Sequence, residues 1–115
     1  MVVGASLESD RYSNKAIHSL RNKSIVTFGF GLMAGEIGDV TVSTVFPTEK
    51  RIHTVTMYVR ASRQSQYYED IVRLDPKRVI FNPGAENTGF VKILEEKGIE
   101  PVEACTLVML SVGNY

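Results

Sequence analysis

Residues 2–6 read Val-Val-Gly-Ala-Ser, two β-branched residues followed at once by three of the smallest side chains. A bare turn needs one glycine. Three small residues in a row let a ligand come close to the backbone, where exposed N–H groups form a nest for an anion, phosphate above all. Two acid-free stretches supply cations for the same chemistry. Arg11, Lys15, Arg21 and Lys23 lie between Arg11 and Gly35, where there is no Asp or Glu; Lys50, Arg51, Arg60 and Arg63 lie between Lys50 and Tyr68, again without an acid. A further candidate is Asn82-Pro83-Gly84, a turn sequence directly after an apolar run.

Other chemistries find less support. The dinucleotide fingerprint G-x-G-x-x-G is missing after the first apolar run, where GASLES has a single glycine. No Asp or Glu between Asp10 and Glu36 is available to hold ribose hydroxyls. No G-x-x-x-x-G-K-[ST] occurs, so NAD binding and ATP hydrolysis both lose ground. Cys105, inside an apolar run, reads as a small core residue. His18 falls on the polar side of its helix, and His53 has no second histidine or acid at metal or base spacing. Tyr67 and Tyr68 read as helix packing, and Glu95 and Glu96 as an exposed face. Glu86, expected near the crevice mouth, is the one carboxylate to examine as a catalytic group, and no nucleophile–base pair accompanies it. No residue is assigned a catalytic or metal-binding role.

The elements that would position the small residues alternate between strand and helix. Met1–Gly4, Ser24–Phe28, Val40–Thr44 (a short edge strand), His53–Val59, Lys77–Phe81 and Ile99–Glu103 are β-prone. Between them, Ser13 is an N-cap candidate for a helix with Ala16, Ile17 and Leu20 on one face. Ser62 is a second candidate, for a helix through Tyr67, Ile71 and Leu74 that Asp75-Pro76 ends. Asn87 is a third, for a helix through Phe90, Val91 and Leu94 closed by Gly98. GFGLMAGEIGD, with four glycines, reads as loop. The tail CTLVMLSVGNY reads as a terminal helical turn or two. Such alternation means an α/β fold: one doubly wound parallel sheet, order 3-2-1-4-5-6, with helices on both faces. Ligands of such sheets bind beyond the carboxyl ends of the strands where the order reverses, here the crevice between Gly4 and Val59. The helix beginning near Ser13 points its positive end into the same crevice, which both acid-free stretches flank.

At 115 residues the chain is expected to be one domain, 1–115, large enough for its own core. Thirteen basic residues balance thirteen acidic ones, which speaks against nucleic acid as a partner. The excess of cations lies in residues 1–68, with eight Lys/Arg to five Asp/Glu. No apolar run reaches membrane-spanning length, and one cysteine excludes an internal disulfide. A soluble cytoplasmic protein is expected, and the apolar tail leaves a homodimer open.

VVGAS, DRYS at 10–13, HTVTMYV at 53–59, RVIFNPGAEN at 78–87 and GIEPVEACTLVMLS at 98–111 together resemble the stand-alone CoA-binding domain proteins. These are Rossmann-type domains similar to the N-terminal domain of the succinyl-CoA synthetase α subunit. The resemblance runs over nearly the whole chain. It implies non-catalytic binding of CoA or an acyl-CoA at the crevice already described. Gly4, Ala5 and Ser6 match the family's pyrophosphate loop, Arg11 its phosphate-side arginine, with Ser13 at the helix start beside them. Gly29, Phe30 and Gly31 match the nucleotide-side turn. Val59, Arg60 and Ala61 match the turn that covers the adenine, and Asn82, Pro83 and Gly84 the pantetheine side. Where members often carry Lys or Arg after the second strand, this sequence has Phe30, Gly31 and Leu32, which leaves Arg60 or Lys15 as the cation for a further phosphate. The alternatives are a small nucleotide-cofactor-dependent enzyme, and an interaction protein whose nucleotide site has decayed.

Overall fold

The structure, a computed structural model, describes residues 1–49 and 51–115. Lys50, one of the cations named above, lies outside the described residues. In chain order the elements are β1 (Val2–Val3), α1 (Tyr12–Asn22), β2 (Gly29–Phe30), β3 (Gly35–Ile37), β4 (Val40–Ser43) and β5 (Thr54–Met57). Then come α2 (Tyr68–Leu74), β6 (Arg78–Phe81), α3 (Thr88–Glu96), β7 (Glu100–Glu103) and α4 (Thr106–Val112). They form one sheet in the order β3-β4-β2-β1-β5-β6-β7.

Six of these strands are parallel and stand in the expected order. The sheet as a whole differs from the expectation, because it has seven strands and is mixed. The glycine-rich segment read as loop contains β3, which pairs antiparallel with β4, Ile37 opposite Val40. Gly38, at the first central position of the two-residue turn joining them, has φ +59°; Asp39 does not share the positive sign, which is the pattern of a type II′ hairpin. A hairpin thus stands where a crossover helix would, and Val40–Ser43 lies inside the sheet rather than at its edge.

The period of two divides the core into two layers. Val2 joins Ile17, Leu20, Ile37, Val40, Val42 and Leu110 on the α1/α4 face. Val3 joins Val55, Met57, Ile71, Val79, Phe81, Phe90, Leu94 and Ile99 on the α2/α3 face. Burying such aliphatic side chains contributes about 1.5–3 kcal/mol each before conformational entropy is counted. Val2 and Val3, both fully buried, therefore fasten the two layers to the same short central strand.

Several element starts move from where the sequence placed them. Arg11, not Ser13, is the N-cap of α1, and no side chain caps the first turn. Ser13 lies inside the helix, and its Oγ accepts a hydrogen bond from the Ser6 N–H at 3.2 Å. Ser62 caps no helix. It lies in the first of two 3-10 turns, Ala61–Arg63 and Ser65–Tyr67, that precede α2. The second strand enters the sheet at Gly29 rather than Ser24, because residues 24 and 25 are used to end α1. The Ser24 N–H donates to the Arg21 carbonyl at 2.9 Å and the Ile25 N–H to the Leu20 carbonyl at 3.0 Å, a Schellman pair.

The end of α3 is built the same way, with Gly98 and Ile99 donating to Glu95 and Leu94. There the left-handed position is filled by Gly98 at φ +73°; at α1 it is filled by Ser24 at φ +59°. A side chain in that conformation is strained. Ser24→Gly is therefore expected to stabilise the protein by about 0.5–1 kcal/mol, net of the extra entropy glycine loses on folding. Urea denaturation measures it, and an unchanged or lower midpoint would refute the strain.

Candidate functional site

The loop after β1 and the turn after β2 meet at one carbonyl. The N–H groups of Gly4 and Ala5 both donate to the Phe30 carbonyl oxygen at 2.9 Å. A Cβ on Gly31 would lie 2.1 Å from the Ala5 carbonyl oxygen, so that position admits only glycine. Gly4, with φ +92°, lies against the exit of β5, and a Cβ there would stand 3.0 Å from Val59 Cγ2 and 3.1 Å from the Tyr58 carbonyl carbon. The small residues therefore let three loops close on one another, backbone to backbone. Their own N–H groups are not free for an anion: Gly4 and Ala5 serve Phe30, and Ser6 serves Ser13.

The free N–H groups lie one step further on. Those of Tyr12, Ser13 and Asn14, the first turn of the uncapped α1, find no acceptor among the described residues. Tyr12 and Ser13 line a cavity of about 590 Å³ at the carboxyl ends of β1, β2 and β5. The helix dipole there adds positive potential to the free donors.

Ten of the sequence-derived positions come together around this cavity: Gly4, Ala5, Ser6, Arg11 and Ser13 on one side, Phe30 and Gly31 on a second, and Val59, Arg60 and Pro83 on a third. Four do not line it. Gly29 sits in β2, where a Cβ would meet Val42 Cγ2 at 3.1 Å. Ala61 is exposed in the first 3-10 turn. Gly84 is exposed in the turn after β6. Asn82 is buried; its Nδ2 donates to Thr56 Oγ1 at 2.7 Å and to the Met57 carbonyl at 2.9 Å, while its Oδ1 accepts from the Thr106 N–H at 2.8 Å. Asn82 thereby ties β5 and β6 to the start of α4, a structural role.

The sequence reading passed over the apolar lip formed by Leu7, Tyr12, Leu32 and Met33, which stay exposed at the mouth. Tyr67, read as helix packing, is instead part of the wall. This ring faces the cavity and meets Phe30 edge-on at 5.3 Å, while Phe30 meets Phe46 at 5.0 Å. Tyr68 does pack as expected, stacked on Phe90 at 4.1 Å. Arg63 lines the wall beside Arg60, and the shared acid-free stretch was its signal. Of the charged groups, Arg11 pairs with Glu8 at 3.0 Å, both exposed. Arg60 and Arg63 have no carboxylate partner among the described residues.

Gln64, fully buried, had no sequence signal at all. Its Nε2 donates to the Val59 and Ala85 carbonyls, both at 2.7 Å, and its Oε1 accepts from Asn87 Nδ2 at 2.9 Å. Asn87 also donates to the Tyr68 hydroxyl at 2.7 Å and caps α3 by accepting from the Phe90 N–H at 3.0 Å. One side chain thus holds the loop after β5 to the loop after β6.

Tyr58 borders the cavity, but its hydroxyl is buried without a hydrogen-bond partner. Burial pushes the phenol up to about 12, and the nearby hydroxyls of Thr106 and Thr56 act in the opposite direction.

An open, largely parallel sheet with a ligand-sized cavity at the point where strand order reverses defines a Rossmann-like α/β domain. The chain belongs to the CoA-binding domain family, whose match covers residues 1–111. No curated protein matches it. A solved structure of an uncharacterized protein is 41% identical, with a TM-score of 0.95 over 99% of this chain and 94% of that one. A Thermus thermophilus protein (17% identity, TM-score 0.88, 99% and 87% covered) and a hypothetical protein from Pyrococcus horikoshii (20%, 0.87, 96% and 80%) share the fold.

Two outcomes follow from the buried groups. Gln64→Leu removes the Gln64 donor from two carbonyls and leaves one N–H of the Asn87 amide without its acceptor, and is expected to cost roughly 2–4 kcal/mol in urea denaturation; a cost near zero would show the network to be dispensable. For Tyr58, the folded state holds the phenol neutral above the usual value near 10, so the unfolded chain loses its proton first. Stability contributed by the neutral phenol is complete below pH 10 and falls away between pH 10 and about 12. Tyr58→Phe is expected to flatten that decline and to leave stability at pH 7 unchanged or higher; an equally steep decline would contradict the assignment.

Proposed function

We propose that this protein binds CoA or an acyl-CoA without transforming it, the diphosphate lying against the free N–H groups at the start of α1 beside Arg11. The observation that carries this reading is the uncapped first turn of α1 opening into the cavity of a CoA-binding family member. Phosphate at a helix N-terminus meets donors already aligned and a favourable dipole, with no reorganisation cost. The apolar lip and the Phe30–Tyr67 corner suit the less polar parts of the same ligand, the adenine ring and the pantetheine arm. The reading without catalysis is supported by the wall itself. Among the described residues no histidine or cysteine lines it, and its one carboxylate, Glu8, is engaged by Arg11.

At a CoA concentration about 100 times its dissociation constant, preferential binding to the folded state adds roughly 2.7 kcal/mol, which moves a thermal midpoint by several degrees. NAD under the same conditions is expected to shift it less. A shift with NAD and none with CoA would overturn the ligand. Arg11→Glu, which sets a negative charge beside the diphosphate, is expected to abolish the CoA shift in a folded protein. Acetyl-CoA incubated with the protein is expected to release no free thiol, and release would overturn the non-catalytic part.

A further inference from the structure

Arg60 and Arg63 are the charged pair of the cavity that no internal contact explains. Both are exposed, both line the wall, and neither meets a carboxylate among the described residues; the one acid of the wall, Glu8, is already engaged by Arg11. Lys15, the other cation of the first acid-free stretch, stands over the Tyr12 ring at 5.5 Å and does not line the cavity. Arg60 precedes the 3-10 turn that Arg63 ends, and because both line the same cavity their like charges repel.

Their mounting is rigid. Gln64, next to Arg63, is fully buried, and its amide holds the carbonyl of Val59, next to Arg60. The residues bracketing the pair are thus fixed to each other by one 2.7 Å hydrogen bond, and to the loop after β6 by a second. Fixing the backbone under two guanidiniums lowers the entropy cost of closing both on one anion. The turn after β2, by contrast, offers only Phe30, Gly31, Leu32 and Met33 to the cavity.

We infer that Arg60 and Arg63 form a second anion subsite, which takes a phosphate monoester separate from the diphosphate at α1. Guanidinium forks match the oxygens of a terminal phosphate dianion. A ligand that satisfies both subsites carries a diphosphate and a detached monophosphate, as a 3′-phosphorylated nucleotide such as CoA does. The inference rests on the CoA reading above and adds to it the direction in which the ligand lies, its monophosphate toward the loop after β5.

Calorimetric titration with CoA and with 3′-dephospho-CoA tests it. The wild-type protein is expected to bind CoA roughly tenfold to a hundredfold more tightly, the scale of a charge-assisted hydrogen bond or two. The Arg60→Gln/Arg63→Gln variant is expected to bring CoA down to the dephospho-CoA level and to leave dephospho-CoA nearly unchanged. Arg11→Gln is expected to weaken both ligands alike. Equal affinity of the wild type for the two ligands, or a preference that survives the double substitution, overturns the subsite while the CoA reading stands. Binding of neither ligand overturns both.

Discussion

The geometry of the cavity depends on one buried amide. Gln64 has no water to fall back on, so each of its polar atoms must find a partner in the protein. It finds carbonyls on two loops and the amide of a helix cap. The usual entry to a helix after β5 is given up for this: the chain makes two 3-10 turns, which lower Gln64 into the gap between the loops, and only then begins α2. The same side chain sets the height of Val59, against which Gly4 closes. The wall of the cavity is thereby referred to a single point in the core.

On the other side of the site the sheet departs from the commonest doubly wound plan. A helix between β2 and β4 would cover one face of those strands. The β3–β4 hairpin instead extends the sheet, and the aromatic residues Phe28 and Phe46 pack against the α2/α3 layer from that side. Phe46 stands behind both cavity rings, edge-on to Phe30 at 5.0 Å and stacked on Tyr67 at 6.4 Å, so the aromatic corner is built from chain segments far apart in sequence.

Much of this was legible in the sequence where local pattern and tertiary demand agree. Asn87 before a helical apolar stripe, Gly98 after it, and apolar β-branched runs for β5 and β6 specify their structures without help from neighbours. Val2-Val3-Gly4 marked the central strand and the crevice beside it. The reason for the small residues was only half legible: close approach was right, but the approaching group is the neighbouring backbone, and of the two sets of donors expected at the crevice only those at the start of α1 are free. Gln64 and β3 were not legible. A polar residue reads as surface unless its partners are known, and its partners here are up to 23 residues away. Three strand residues among four glycines fall below what a period of two can reveal. Ser24 at a left-handed position also runs against local preference, and only the geometry of the helix end discloses it.

The shared carbonyl of Phe30 has a kinetic consequence. With Gly4 and Ala5 bound to one oxygen and Gly31 pressed against the Ala5 carbonyl, the rim of the cavity between β1 and β2 is already in its final shape before any ligand arrives. No lid has to fold over the ligand on this side. Encounter is then governed by diffusion and by the pull of the arginines on a polyanion, and it slows as added salt screens them. The residence time is set separately, by how quickly short-range contacts let go. At a rim formed in advance, selection among ligands rests on how fast each departs rather than on a closing motion.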